Sequence, residues 1–402
     1  MSDWLNRLHA KRMAACVLAS VALLAVAMAS ITQAVKAPFK VLIVFPLSGP
    51  LSQVGKTEAA GSRAAATIIN RQGGVLGSRV EVTFRDDAGD GAKGTATALQ
   101  EIASTSYNMV TCGATLAQAL PCAAAIDKTK PLKIVSGQDP SFNKLSRTFG
   151  VGPLYDPSGE NLVRHLIRKK VKAFAVIAAD NASGQTGAAA IEASAKRHSK
   201  QIRVTRKILV PPAVADATPY IQQATSSGAQ AIAATAFSPA GLQVLRARKK
   251  LGVTLPVYTD WLFASASLSS LTAEERAGVT TQVFPWMIKG SKATKKKAFA
   301  DFIREYDKEI AGPSPLAVTA PVTGANLLYV ARAAARTAKS TDPDKMVRAM
   351  AKLTKSSKVP GFIGVSTLYS KRSHNPRGNP AKDWTFVRAG TIGTDGFITP
   401  DK

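Results

Sequence analysis

Cysteine is scarce in this chain of 402 residues: Cys16, Cys112 and Cys122 are the only three. That is too few for a disulfide-built scaffold, and their spacing makes no zinc-ligand cluster. Histidine is nearly as rare, four in all, and the three beyond residue 34, His165, His198 and His374, lie far apart, away from metal-ligand intervals. Acidic residues are half as numerous as basic ones, 26 Asp+Glu against 53 Lys+Arg, for a formal net charge of +27. Such a balance is compatible with nucleic acid, an anionic membrane surface or a solvated basic coat, and the coat is the reading preferred here. After residue 34 no apolar run is long enough to span a bilayer. What is present is the composition of a packed globular protein, 46% hydrophobic with mean hydropathy near zero. Its length suggests two lobes.

The first 34 residues have the three parts of an export leader. Arg7, Lys11 and Arg12 precede an apolar run from Met13 to Ala29, followed by small-residue sites at Ala27-Met28-Ala29 and Thr32-Gln33-Ala34. A single membrane anchor is the competing reading, but the run is short for a span of ~20 residues. Cys16 opens the run rather than following it, unlike a lipid-attachment cysteine. The expectation is a cleaved signal peptide over residues 1–34 and a mature chain outside the cytoplasm. Export makes a cytosolic nucleotide-driven enzyme or a DNA-binding repressor improbable, and no nucleic-acid partner is expected. For Cys112 and Cys122, a disulfide and a pair of buried thiols both stay open.

Strands and helices then alternate. Val41-Leu42-Ile43-Val44-Phe45 reads as a strand buried on both faces of a parallel sheet. A helix pattern over 55–71 ends at Gly73-Gly74. A strand at 80–84, a helix at 92–105, a strand at 108–111, a helix at 115–127 and a strand at 132–135 complete one doubly wound lobe. Asp156-Pro157 offers an N-cap with proline at the first helical position. A second series follows: strands at 174–178, 203–209, 229–235 and 256–258 interleave with helices at 184–197, 217–226 and 239–251. Beyond a strand at 279–284 come helices at 293–311, 321–339 and 343–353, the last capped by Asp342. A tail carries short strands near 362–365, 367–369 and 384–388.

The familiar catalytic constellations do not form. The stretch from Gly49 to Thr57 approaches the phosphate loop GxxxxGK[ST], but its glycines are separated by five residues, and a loop that works by curling N–H groups around phosphate does not tolerate the insertion. Asp86-Asp87-Ala88-Gly89-Asp90-Gly91 hints at a calcium loop, yet Ala88 and Thr97 stand where ligands are needed, so it reads as a turn. His165 and His198 sit among Arg and Lys and read as residues of a solvated helix face. No residue set nominates a nucleophile with its base, so no enzyme and no cofactor or metal is expected.

Phe45-Pro46-Leu47-Ser48-Gly49-Pro50-Leu51, followed by a helix ending Ile69-Asn70-Arg71-Gln72-Gly73-Gly74-Val75-Leu76-Gly77, resembles the opening of the branched-chain amino-acid (leucine/isoleucine/valine-type) periplasmic binding proteins of ABC transporters. Phe84-Arg85-Asp86-Asp87, Thr111 to Thr115, Ile134 to Pro140 and Leu245 to Gly252 fall in that family's order, and the resemblance fades in the tail. It implies an α/β fold of the type I periplasmic binding protein, with two doubly wound Rossmann-like lobes joined by three hinge crossings. The expected boundaries are 38–154 plus 286–355 for lobe 1 and 155–285 plus 356–402 for lobe 2. It further implies a periplasmic monomer that binds an amino acid or related carboxylate between the lobes and presents it to an ABC permease in the inner membrane.

The resemblance also nominates a site. In the family, loops matching Gly113–Thr115 and Ser136–Gln138 hold the ligand carboxylate, which implies Thr115 through its hydroxyl and Ser136 and Gln138 mainly through backbone. The partner of the ammonium falls on Asp260, and Phe237 matches an aromatic wall position. The sequence departs from the pattern where Ser183 replaces an aromatic residue before a glycine and where Gly113 replaces a hydroxyl, while Trp261 adds a flat surface beside Asp260. One ring lost and another gained suggests a pocket reshaped for an aromatic or other carboxylic acid, or an amide, instead of leucine. Each residue has a plainer role available: Thr115 as a helix cap, Ser136 and Gln138 as turn formers, Asp260 as a surface acid, Phe237 and Trp261 as packing. A secreted hydrolase is the alternative from another functional class.

Overall fold

Seven apolar or half-buried residues, Phe39–Phe45, form the first strand, β1, and all but Lys40 are buried. In the computed structural model β1 is paired in parallel on both sides, with β2 (Val80–Asp86) and β3 (Met109–Cys112). Strands β4 (Leu132–Val135) and β5 (Thr148–Gly150) continue the sheet, whose order is β2-β1-β3-β4-β5. Helices α1 (Ser52–Arg71), α2 (Gly91–Ser104) and α3 (Leu116–Ile126) connect the strands. The structure describes residues 36–235, 239–263, 270–310 and 317–401. The leader expected over residues 1–34 and Phe237 lie outside them, and Phe39–Lys402 form one compact unit.

The chain then repeats the pattern. Helix α4 (Tyr155–Arg168) leads to β6 (Ala173–Ala179), α5 (Ala182–Arg197), β7 (Arg203–Val210), α6 (Thr218–Ser226), β8 (Ala231–Thr235), α7 (Pro239–Lys250) and β9 (Val257–Thr259). A short helix, α8 (Ala273–Arg276), precedes β10 (Val279–Val283). The second sheet runs β11-β10-β9-β8-β6-β7, with β11 (Thr385–Arg388) antiparallel at its edge. Without that edge strand the two sheets share one order, in which the strand sequence reverses direction beside β1 and beside β6. In α/β sheets ligands bind at such reversals, outside the carboxyl ends of the strands.

Helices α9 (Lys297–Glu309), α10 (Thr319–Ala338) and α11 (Pro343–Met350) follow β10. Helix α10 is buried along most of its length because small residues let it sit directly on α1. A Cβ on Gly61 would stand 2.0 Å from the Pro321 carbonyl oxygen, and one on Gly324 would stand 1.9 Å from that of Glu58. Only glycine permits this approach. Among the described residues no helix is long and apolar enough to cross a membrane.

Several local expectations need correction. Helix α4 begins at Tyr155 with Leu154 at the N-cap position and no side-chain cap, so Asp156 lies in the first turn and does not cap it. The earlier start serves Tyr155, which is buried against the second sheet's loops. His165 is not on a solvated face: its ring stacks on Phe386 at 3.8 Å, and burial pulls its pKa down to about 4. His198 bonds to Glu160 at 2.8 Å. The aspartates of the calcium-like stretch are occupied as a turn and a cap, Asp86 accepting from Leu47, Ser48 and Ala88 and Asp90 from the first turn of α2.

In the tail only Thr385–Arg388 of the three expected strands forms. The preceding segment lies along β5, where Gly150 N–H donates to the His374 carbonyl and Tyr369 Oη donates to the Gly150 carbonyl. The tail is thus shared by the two sheets and not confined to the second, as a three-residue edge strand needs its open side covered. A small hairpin, β12 (Gly390–Ile392) with β13 (Ile398–Pro400), was not foreseen.

Candidate functional site

A cavity of about 370 Å³ opens where the carboxyl ends of both sheets meet. The first sheet supplies Ala114, Thr115 and Leu116 after β3, Gly137 and Gln138 after β4, and Val151 to Pro153 after β5. The second supplies Ser183 after β6, Trp261 and Leu262 after β9, and Phe284 and Trp286 after β10. Val54 and Glu58 of α1, the first turns of α10 and the segment 362–365 close it.

One wall is aromatic. Trp261 stacks on Tyr155 with centroids 5.6 Å apart and leans on Phe284 and Trp384, while Phe284 lies flat on Trp286 at 5.1 Å. The opposite wall carries polar groups on short loops. Thr115 occupies the N-cap position of α3 but does not bond the helix backbone; its hydroxyl turns to Gln118 Oε1 at 3.2 Å. A disulfide between Cys112 and Cys122 decides the question left open by sequence. It ties the end of β3 to α3 and so fixes the loop that holds Thr115.

Of the residues nominated from sequence, Thr115, Gln138, Ser183 and Trp261 are on the cavity wall. Ser136 is one layer behind: it is buried, and its hydroxyl donates to Glu58 Oε2 at 2.6 Å. Asp260 is neither on the wall nor a surface acid. It is 2% exposed, accepting hydrogen bonds from the Thr235 hydroxyl and from Leu262 N–H.

Two groups were missed. Glu58, on α1, is 4% exposed and faces the cavity. Burial pushes its pKa up to about 8, against the opposite pull of the Ser136 hydrogen bond. A sequence signal existed, since Val54, Glu58, Gly61 and Ala65 share one helix face. Tyr155 is the second. Its buried hydroxyl lies beside Ser183 and Gln138 of the wall. Burial first, and then the charge of Asp260, hold its proton firmly in place.

The described lining contains no lysine, arginine or histidine. Among the described residues no group of three His, Cys, Asp or Glu side chains is arranged to hold a metal ion. What the arrangement offers is recognition: an apolar slot with a few neutral donors.

The chain matches the periplasmic binding protein family over residues 38–392. It belongs to that family. Among solved structures, the type 1 periplasmic binding protein of Bordetella pertussis Tohama I superposes with a TM-score of 0.73 at 16% identity, covering 90% of this chain and 100% of its own. A fatty acid ABC transporter substrate-binding protein from Thermomonospora curvata superposes with a TM-score of 0.67 at 16% identity, covering 90% and 92%. These likenesses establish the type I periplasmic binding protein fold. A curated relative, Leu/Ile/Val-binding protein homolog 3 of Brucella melitensis, is 26% identical over 194 residues, 47% of this chain. The match spans about half the length of that relative, 52%.

Proposed function

We propose that this periplasmic binding protein is the exported solute receptor of an ABC importer and that it captures a small carboxylate with an apolar body. The observation that carries the reading is the cavity itself: aromatic on one side, without a cation among its described residues, and opening on the N-terminus of α3. An anion in such a slot is held by uncharged donors and by the positive end of the helix, without an opposite charge. Contacts from both sheets' loops favour a closed form, by the population shift through which such receptors signal occupancy to a permease. The protein acts as a monomer on an unaltered ligand and needs no cofactor.

A branched-chain amino acid is the second reading, favoured by the name of the Brucella relative. It requires an acid for the ammonium, and Asp260 stands directly behind Trp261 and Leu262 of the wall. Fold alone does not decide, since the same fold serves the fatty acid receptor.

Thermal-shift and calorimetric titration with phenylacetate, hexanoate, L-leucine and L-phenylalanine test the proposal, because a ligand that binds only the folded form raises the melting temperature. Phenylacetate or hexanoate should bind and leave unchanged, with a smaller radius of gyration in scattering. Asp260→Asn separates the readings: an amino acid should lose affinity severely, a plain carboxylate hardly at all. Turnover of amide or ester libraries would favour a hydrolase instead.

A further inference from the structure

We infer that Glu58 serves this site as a neutral acid, donating a hydrogen bond from the cavity wall to an acceptor on the ligand, so that an anionic solute is captured only while Glu58 keeps its proton. The inference rests on the receptor reading above and assigns that site its specificity-determining residue.

The geometry carries it in two independent ways. First, among the described residues no cation is paired with Glu58. On α1 itself, Lys56 is exposed and Arg63 is paired with Glu309 at 3.0 Å. Helix α10 has no charged residue before Arg332, which is bonded to Gln72 and the Pro360 carbonyl. Near the end of β2, Arg85 is paired with Glu101 at 2.6 Å, and Asp86 and Asp87 there, like Asp139 after β4, accept from backbone N–H groups in their own turns. An ionised carboxylate here would be buried and unpaired, the costliest arrangement for it. Burial accordingly holds the proton on Glu58 up to about pH 8.

Second, donors are available at the cavity. The Trp286 indole N–H is on the wall and has no partner among the described residues; the Tyr155 hydroxyl lies behind Trp261, beside Ser183 and Gln138 of the wall. Ser136 already occupies Oε2 of Glu58, fixing the carboxyl group in place. These donors fit a carboxylate or carbonyl, whereas an ammonium finds only neutral acceptors on the wall while Glu58 keeps its proton.

Proton linkage then gives a sign that no structural role reproduces. A bound anion tightens the hold of Glu58 on its proton, so affinity is level below about pH 8 and falls by up to about tenfold per pH unit above it. A ligand whose ammonium faced Glu58 would do the reverse, binding more tightly as pH rises towards 8.

The test is titration of the full protein with phenylacetate, hexanoate, L-leucine and phenethylamine from about pH 6 to about pH 9.5, followed by tryptophan fluorescence. Wild type should bind the carboxylates with the falling profile, and Glu58→Gln, which still donates, should bind them at all these pH values with little change. Ser136→Ala, which removes the pull on the acid, should move the break to higher pH. Binding of phenethylamine or leucine that strengthens with pH and is lost in Glu58→Gln would overturn the inference and leave the receptor reading standing. So would carboxylate binding with the same pH profile in wild type and Glu58→Gln. Failure of all four probes, with scattering unchanged, would overturn the receptor reading and the inference with it.

Discussion

Replacing Glu58 by glutamine should stabilise the ligand-free protein at alkaline pH and do little at acid pH. In the unfolded chain this carboxyl group ionises near 4.5, whereas in the fold burial raises its pKa to about 8. The folded state therefore holds a proton that the unfolded state has released, and stability falls as pH climbs through that interval. The contribution is fully present below 4.5, is lost progressively, and is gone once pH passes about 8. At about 1.4 kcal/mol per pH unit the gap amounts to about 5 kcal/mol, an upper bound that water penetration brings towards about 2. Against a total stability of about 5–15 kcal/mol this is readily measured. Glutamine keeps the shape and the acceptor for Ser136 and cannot ionise. Urea unfolding of wild type and variant at several pH values between 5 and 8.5 should give curves that nearly coincide at the acid end and separate steadily towards the alkaline end. Other titrating groups cancel in the difference. Lys133 is one: wholly buried, with its pKa pulled down to about 7, it makes both proteins gain stability as pH rises from there. A separation that does not change with pH, or a variant less stable than wild type at pH 8.5, would refute the reasoning.

The double variant Cys112→Ser/Cys122→Ser opens a short loop and should cost roughly 3 kcal/mol of stability, read as a lower melting temperature. Identical melting with and without reductant in wild type would contradict the bond. Gly324→Ala puts a methyl carbon where the Glu58 carbonyl oxygen stands 1.9 Å away, and overpacking of this kind costs about 1–3 kcal/mol. Because it displaces the main chain at Glu58, it should weaken phenylacetate binding as well as lower the melting temperature, and an unchanged melting temperature would show that α1 and α10 part easily.

Much of the fold was legible because its central strands are buried on both faces. Runs such as Phe39–Phe45 and Ala173–Ala179 have no polar alternation to confuse with a surface strand, and glycines or capping residues mark the helix ends between them. Legibility failed where an element is too short to carry a period, as in Thr148–Gly150, or where burial has another cause. Residues 362–365 looked like a strand because they are largely apolar. They are apolar because they wall the cavity. At their centre the backbone of Ile363 is satisfied by one side chain, Asn326, which donates to its carbonyl at 2.7 Å and accepts from its N–H at 3.0 Å. An amide side chain reproduces here what a neighbouring strand would have supplied, and no local pattern announces it.

The site was legible in proportion to how directly topology fixes it. Thr115, Gln138, Ser183 and Trp261 follow strand ends, and in a doubly wound sheet strand ends converge on one edge. Asp260 follows a strand end too, yet the chain turns so that its neighbours Trp261 and Leu262 face the cavity and the acid faces Thr235. Position in the fold was readable, but side-chain direction was not. Glu58 is the opposite case. It is on a helix, where no strand-end rule reaches, and its importance appears only once α10 is seen to seal that face of α1 against water. The same seal that hides the residue from a sequence reading is what removes the water and the counter-charge, and so gives a common glutamate the properties of a neutral donor.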